Sequence, residues 1–301
     1  MVQKPLLKSM LTVLSISISS LVFAAPNPTD SADFFMQKGM LEKQNGRRME
    51  SLKQFEKAFK YDSSSKVITT ELASAYYDLR KYHQSLQLYK KLIGMGETTA
   101  PNYKQVMMLS YHLRQQNDVL HYADLLQKAD PNEPIHYYVG KVHYDMENYG
   151  GAIQALTIAA KEDPKNAEVP YMIARSYADM MNYKQSIPYF KQAIEMDTAQ
   201  SHWVYELGLI CYAMNDNTGA LQYILMAGDR GYKRDNAYLE NLGIAYLDAG
   251  KLYEGVAILN DVLKRKPSDL NVLNMVAEAY YFAGKYVEAI EYWDKVMLYD
   301  N

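Results

Sequence analysis

Histidine and cysteine are the residues of this chain that could bind a metal ion or act as nucleophiles. His136 and His143 lie seven residues apart. Two histidines that bind zinc from one helix usually lie four residues apart, as in the HExxH motif, which the sequence lacks. Cys211 is the only cysteine, so a disulfide within the chain and a zinc site built on several thiolates are both excluded. No basic neighbour is evident that would activate it, and we expect a buried, inert thiol.

Motifs for nucleophilic catalysis and for phosphate binding are absent too. The sequence contains no G-x-S-x-G, P-loop or G-x-G-x-x-G segment. Enzyme activity therefore has no candidate catalytic residues, and we predict a non-enzymatic protein that uses neither a metal nor a cofactor. The formal net charge of -3 provides no general attraction to nucleic acid or to anionic lipid.

The elements that would position any binding site follow from a repeated pattern. Residues 241–267, NLGIAYLDAGKLYEGVAILNDVLKRKP, read as two amphipathic helices with a turn at Gly250 and a stop at Pro267. Residues 138–164 and 275–301 repeat this pattern. The spacing between copies is about 34 residues. Eight repeats fit between Ala32 and Asn301, and they begin near residues 32, 66, 100, 133, 167, 201, 236 and 270.

Small residues recur at two positions of the repeat. Position 8 is Gly or Ala in seven of the eight repeats, and position 20 is Gly, Ala or Ser in all but one, which has Val119. Aromatic residues are frequent at positions 11 and 24, as in Tyr246 and Phe190. Gly243 and Gly255 each cost about 1 kcal/mol of helix propensity relative to alanine. We therefore expect them to mark places where two helices cross closely.

This pattern resembles the tetratricopeptide repeat family over about nine tenths of the chain. The resemblance implies an all-α fold, a right-handed α-solenoid of about eight helix-turn-helix repeats over residues 32–301. In this family, positions 2, 5, 9, 12 and 13 of each first helix line a concave groove that binds peptides. Three successive repeats have tyrosine at position 5, and two have a cation at position 9. Carried over to this chain, the predicted groove residues are Lys104, Tyr111, Tyr137, Lys141, Tyr144, Tyr171, Arg175, Tyr205 and Tyr212.

The N-terminal residues have the three-part pattern of a secretory signal peptide. Lys4 and Lys8 precede an apolar stretch at residues 10–23, and Ala24 and Ala25 follow it. The stretch is too short for a stop-transfer helix. We predict a signal peptide over residues 1–24, a flexible leader over 25–31 and an exported, periplasmic protein. No cysteine lies near the cleavage site, which argues against a lipoprotein. Loss of Lys4 and Lys8 leaves 30 basic against 35 acidic residues, a net charge of -5.

The last predicted helix carries an apolar stripe with no following repeat in the sequence to cover it. Ile290, Trp293 and Met297 lie at i, i+3 and i+7. Solenoids usually end in a polar capping helix. We predict an open C-terminal interface here, for a partner, a second copy or further residues of a longer chain.

Together these features predict a protein-protein interaction scaffold of the cell envelope that binds a polypeptide in its groove. Two alternatives remain: a structural solenoid that self-associates through its open C-terminal face, and a glycan-binding module that uses tyrosines as stacking platforms. The sequence does not identify the partner.

Overall fold

The computed structural model describes residues 28–299, which form sixteen α-helices and no strand. The prediction of an all-α helical repeat is confirmed. The chain divides into two compact units, an N-terminal one up to Met95 and a C-terminal one from Gly96 onward. The helices of the N-terminal unit are α1 (Pro28–Gln44), α2 (Arg48–Tyr61), α3 (Lys66–Asp78) and α4 (Tyr82–Gly94).

The C-terminal unit contains the other six helical hairpins. Its helices are α5 (Ala100–His112), α6 (Gln116–Ala129), α7 (His136–Asp145), α8 (Tyr149–Glu162), α9 (Glu168–Asp179), α10 (Tyr183–Met196), α11 (Ser201–Ala213), α12 (Asn217–Asp229), α13 (Asn236–Asp248), α14 (Leu252–Arg265), α15 (Leu270–Phe282) and α16 (Tyr286–Tyr299). Each hairpin is one repeat. Odd-numbered helices are the first helices of their repeats, and even-numbered helices are the second.

Most first helices begin where the sequence predicts that a repeat begins. Six first helices begin within one residue of the proposed start, and α7 begins three residues later. Helix α1 begins at Pro28, so residues 28–31, which the sequence assigns to a flexible leader, are helical. The predicted signal peptide and the first residues of the leader lie outside the described residues.

One turn geometry joins the two helices of every repeat. Repeat position 15 has a positive φ in all eight turns: glycine holds it in three of them, as at Gly250, and other residues hold it in five, as at Met181. The next residue donates its backbone N–H to the carbonyl at position 11, as from Lys251 to Tyr246 over 2.9 Å. A residue in the left-handed conformation, followed by a backbone hydrogen bond from position 16 to position 11, is the Schellman motif that ends a helix. It directs the chain into the second helix.

Close contact at positions 8 and 20 holds each hairpin together. A Cβ built on Gly243 would lie 2.7 Å from the Leu259 side chain, and one built on Gly255 would lie 2.9 Å from the Gly243 carbonyl oxygen. Gly140 and Gly208 face Leu156 and Ile224 in the same way. In the N-terminal unit, serine at position 20 adds a hydrogen bond: Ser51 and Ser85 each donate a hydroxyl to the carbonyl at position 8, over 2.9 Å.

Within each unit, the hairpins stack so that a second helix packs on the first helix of the next repeat, as α2 does on α3 and α8 does on α9. In the C-terminal unit one continuous core extends from Ala152 to Val276. Its largest fully buried side chains include Phe190, Leu207, Tyr238 and Leu259. This core fixes the spacing of the first helices, whose remaining faces carry the predicted groove residues.

We expect Gly255→Ala to lower the free energy of unfolding of the C-terminal unit by about 1–3 kcal/mol, because the new methyl group meets a backbone carbonyl that cannot move aside. Urea unfolding followed by circular dichroism measures the change. Gly150→Ala is the matched control, since a Cβ there meets nothing within 4 Å. That substitution should be neutral or stabilising by up to about 1 kcal/mol. Equal stability of the two variants would contradict the close-packing account.

Candidate binding surface

The nine predicted groove residues all lie on first helices of the C-terminal unit. They are on α5, α7, α9 and α11. We call the surface formed by repeat positions 2, 5, 6, 9, 12 and 13 of α5, α7, α9, α11, α13 and α15 the first-helix face. We call the part of this face on α5–α9, where hydroxyls, carboxylates and cations bond to one another, the polar half. The rest of the face lies on α11–α15.

A hydrogen-bonded triad joins α7 to α9 in the polar half. Tyr137 donates its hydroxyl to Glu168 over 2.6 Å, and the Lys141 ammonium donates to the other Glu168 oxygen over 2.8 Å. Lys141 also lies 3.2 Å from the Tyr137 hydroxyl oxygen. Partial burial opposes ionisation of Glu168, but the hydrogen bonds from Lys141 and Tyr137 outweigh it, and the pKa of Glu168 is lowered. Lys141 is therefore already paired and is not a free cation.

Arg175 lies at the centre of a second cluster. Its guanidinium lies 5.4 Å from the ring centre of Tyr144 and 5.9 Å from that of Tyr171. Tyr144 donates its hydroxyl to Asp179 over 2.5 Å, and Tyr171 donates to Glu206 over 3.2 Å. Burial, together with the nearby Glu206 carboxylate, raises the pKa of Tyr171 to about 12. These contacts connect three successive first helices, so the cluster stabilises the stack of repeats.

Two of the predicted groove tyrosines belong to the core. Tyr171 is 8% exposed and Tyr205 is 7% exposed, so the expectation that they line an open groove is wrong. Tyr171 stacks on Trp203 with ring centres 4.6 Å apart. Tyr205 stacks on Tyr232 at 4.2 Å and accepts a hydrogen bond from Asn241 over 2.6 Å.

Tyr232 comes from the longer connection between α12 and α13, which spans residues 230–235. In repeats 5 and 6, position 5 is therefore directed toward the following repeat, where large neighbours cover it.

The remaining predicted groove residues stay at least partly accessible. Lys104 pairs with Glu133 over 2.7 Å at the start of α5. Tyr111 packs edge-on against Tyr138 at 5.1 Å and lines a pocket of about 570 Å³ whose walls are mainly polar. Tyr212 is 46% exposed.

Tyr212 marks a second pocket that the sequence prediction missed. This C-terminal pocket, of about 590 Å³, lies among α11, α13 and α15. Its lining consists of Tyr212, Ile244, Leu247, Asp248, Gly250, Leu252, Met275, Glu278, Ala279, Phe282 and Ala283. The side chain of Phe282 is 82% exposed at the edge of the pocket. Positions 9, 12 and 13 would have identified five of these eleven residues if they had been followed into repeats 7 and 8.

The predicted C-terminal interface lies on α16. Ile290 is 55% exposed and Met297 is 69% exposed. At the same repeat position as Ile290, Leu52, Leu221 and Val256 are buried. Trp293 lies further in and packs against Tyr281, with ring centres 5.7 Å apart.

The residues considered for metal binding or nucleophilic chemistry have other roles. Burial raises the pKa of Cys211 to about 11, so it is a neutral thiol at pH 7. The ring nitrogen Nδ1 of His136 lies 2.5 Å from a Glu162 oxygen, and that of His143 lies 3.3 Å from the Asn148 side chain. In residues 28–299, no group of three or more His, Cys, Asp and Glu side chains is placed to hold a metal ion.

Comparison with known families agrees with this hairpin architecture. A family model for the tetratricopeptide repeat matches residues 171–231 and 240–298. These two segments of the chain are tetratricopeptide repeats. The matched segments contain the C-terminal pocket and most of the Arg175 cluster, so both lie on repeats of this family.

The individual proteins that this chain resembles share little sequence identity with it. Superkiller protein 3 of Schizosaccharomyces pombe is 22% identical over 161 residues, which cover 51% of this chain but only 12% of that protein. A chain of the Naa15/Naa10 complex bound to HypK-THB matches with a TM-score of 0.52 and 14% identity, over 82% of this chain and 38% of that one. MamA AMB-1 matches with a TM-score of 0.50 and 18% identity, over 56% and 92%. At these identities the structural likeness concerns the fold alone. Among the described helices of the tetratricopeptide repeat chain, none has the length and apolar character to cross a membrane.

We expect Glu168→Gln to lower the free energy of unfolding at pH 7 by up to about 1 kcal/mol, since the pair with Lys141 is partly exposed. Folding lowers the pKa of Glu168 below its unfolded value of 4.5. The ionised carboxylate therefore contributes its full stabilisation of the folded state above pH 4.5, and this stabilisation is lost as the pH falls through the pKa of the folded state. Urea unfolding at pH 7 and pH 3 should therefore show a difference from wild type that shrinks in acid. Glu195→Gln, at an exposed carboxylate on α10, is the control and should show no such dependence.

Proposed function

We propose that this tetratricopeptide repeat protein is an exported, non-enzymatic scaffold of the cell envelope that binds a polypeptide on its first-helix face. The repeat fold is consistent with a protein-protein interaction scaffold. Export is supported by the basic start, the apolar stretch at residues 10–23 and the Ala24-Ala25 exit. A periplasmic location without a lipid anchor is the form of export that these residues favour.

The observation that carries the binding proposal is the exposed aromatic edge of the C-terminal pocket. Phe282 and Tyr212, which both line the pocket, are 82% and 46% exposed. Aromatic side chains that gather at a partly apolar cavity are typical anchors for a protein partner, because they bury a large area with few rotatable bonds. The polar half of the face suits this role less well, since its hydroxyls, carboxylates and cations already bond to one another.

A photo-crosslinking amino acid at position 282, introduced in the native cell, tests this function. We expect a covalent adduct with another polypeptide, recovered from the envelope fraction, and a scaffold chain whose N-terminus begins at Ala25 or Pro26. The control is the same probe at Met181, which is 78% exposed on a turn away from the pocket. Equal yield at the two positions, or no adduct at position 282, would count against binding at the pocket.

A second candidate function is self-association through α16, and the exposure of Ile290 and Met297 favours it. An exposed apolar stripe whose counterparts are buried in other repeats gains stability when a second surface covers it. The glycan-binding alternative receives less support, because Tyr171 and Tyr205 are stacked on other aromatic side chains.

For self-association, sedimentation velocity at rising protein concentration should show a growing mass for wild type, and Ile290→Glu with Met297→Glu should remain monomeric. Val67→Glu, at a side chain that is 65% exposed on α3, should behave as wild type. A wild-type protein that stays monomeric over the whole concentration range would rule out this role.

A further inference from the structure

The C-terminal pocket combines apolar walls with two carboxylates. Ile244, Leu247 and Met275 line it beside the rings of Tyr212 and Phe282. Asp248 and Glu278 contribute the carboxylates to the same lining. A cavity of about 590 Å³ is large enough for one or two side chains of a bound segment.

Neither carboxylate is neutralised by the protein itself. In the part of the chain that the structure describes, the side chains of Asp248 and Glu278 form neither an ion pair nor a hydrogen bond. Asn217 donates its side-chain amide to the backbone carbonyl of Asp248, not to the carboxylate. The basic residues of the adjoining turns are directed elsewhere: Lys251 lies over the Tyr246 ring at 5.9 Å, and Lys285 pairs with Glu288 at 3.7 Å. Burial raises the pKa of Asp248, which agrees with the lack of a compensating cation.

Elsewhere on the first-helix face, the lysines and the arginine have acidic or aromatic partners within the protein. Lys104 and Lys141 each pair with a glutamate within 2.8 Å. Arg175 lies between Glu206 and two tyrosine rings. Each of these cations has a partner inside the protein, whereas Asp248 and Glu278 do not. The unpaired charge that the C-terminal pocket offers to a ligand is therefore negative.

We propose that the C-terminal pocket binds a polypeptide segment in which an apolar side chain is adjacent to a lysine or arginine. The apolar side chain fills the cavity beside Ile244 and Met275, where its burial is favourable. The cation meets Asp248 and Glu278 and lies close to the exposed Phe282 ring, whose π face attracts a cation. This inference rests on the proposed function and specifies the chemical class of its partner.

Fluorescence anisotropy with matched synthetic peptides tests the inference. The probes are labelled Gly-Ser peptides that carry three copies of a Leu-Arg, Leu-Gln, Leu-Glu or Ser-Arg pair. We expect the Leu-Arg peptide to bind at least about tenfold more tightly than the Leu-Gln and Ser-Arg peptides, and the Leu-Glu peptide to bind most weakly. The preference for arginine should decrease as the salt concentration rises.

Two variants locate the effect. Asp248→Asn with Glu278→Gln should reduce Leu-Arg affinity to the Leu-Gln level and leave Leu-Gln binding unchanged. Glu195→Gln with Glu254→Gln removes the same charge from exposed positions on second helices and should leave all affinities as in wild type. Phe282→Ser, at a side chain that does not support the core, should weaken every leucine peptide.

The possible failures are distinguishable from failure of the proposed function. Equal binding of the Leu-Arg, Leu-Gln and Leu-Glu peptides would overturn the charge preference while peptide binding stands. A second outcome is that the Ser-Arg and Leu-Arg peptides bind equally and that the distant control variant reduces their affinity as much as the pocket variant does. This result would show general electrostatic attraction and overturn the inference. Absence of binding by every peptide, together with an adduct at position 282 in the cell, would overturn it too and leave the scaffold function in place.

Discussion

The close approach of two helices at repeat positions 8 and 20 is the constraint on which the rest of this structure depends. Where Gly243 and Gly255 meet, the facing backbones leave no room for a Cβ. The larger side chains beside them, such as Leu259, fill the space that remains. This contact fixes the angle within a hairpin, and the Schellman turn fixes its connection. Repetition of the same hairpin then sets the spacing between successive first helices, from which the binding surface is built.

That spacing explains why the polar half of the face bonds to itself. Tyrosine at position 5 is long enough to reach the first helix of the next repeat, where Glu168 and Glu206 accept its hydroxyl hydrogen bonds. Side chains that could bind a ligand if they lay on an isolated helix therefore form hydrogen bonds between neighbouring repeats instead. The result is a surface whose polar groups bond to one another, next to a pocket whose aromatic edge is exposed and whose carboxylates have no cationic partner in the protein.

The repeat architecture could be predicted from the sequence because its signals are local and occur eight times. Small residues at position 8 and turn residues near position 15 recur at a spacing of about 34 residues, which is the period of the tetratricopeptide repeat. The binding surface could be predicted only in part. Helix periodicity shows that Tyr171 and Tyr205 share a face with Tyr212, but their burial depends on Trp203 and Tyr232, which other parts of the chain supply. Whether a polar group of the surface is paired likewise depends on partners that lie 27 to 35 residues away in the sequence.

The position of Cys211 has a consequence for where this protein can fold. The thiol is 2% exposed and remains protonated at neutral pH, and the sequence holds no second cysteine with which it could form a disulfide. Its only contribution to stability is therefore that of a small apolar group in the α11 core. Formation of these hairpins therefore requires no disulfide within the chain, in a reducing compartment as in an oxidising one.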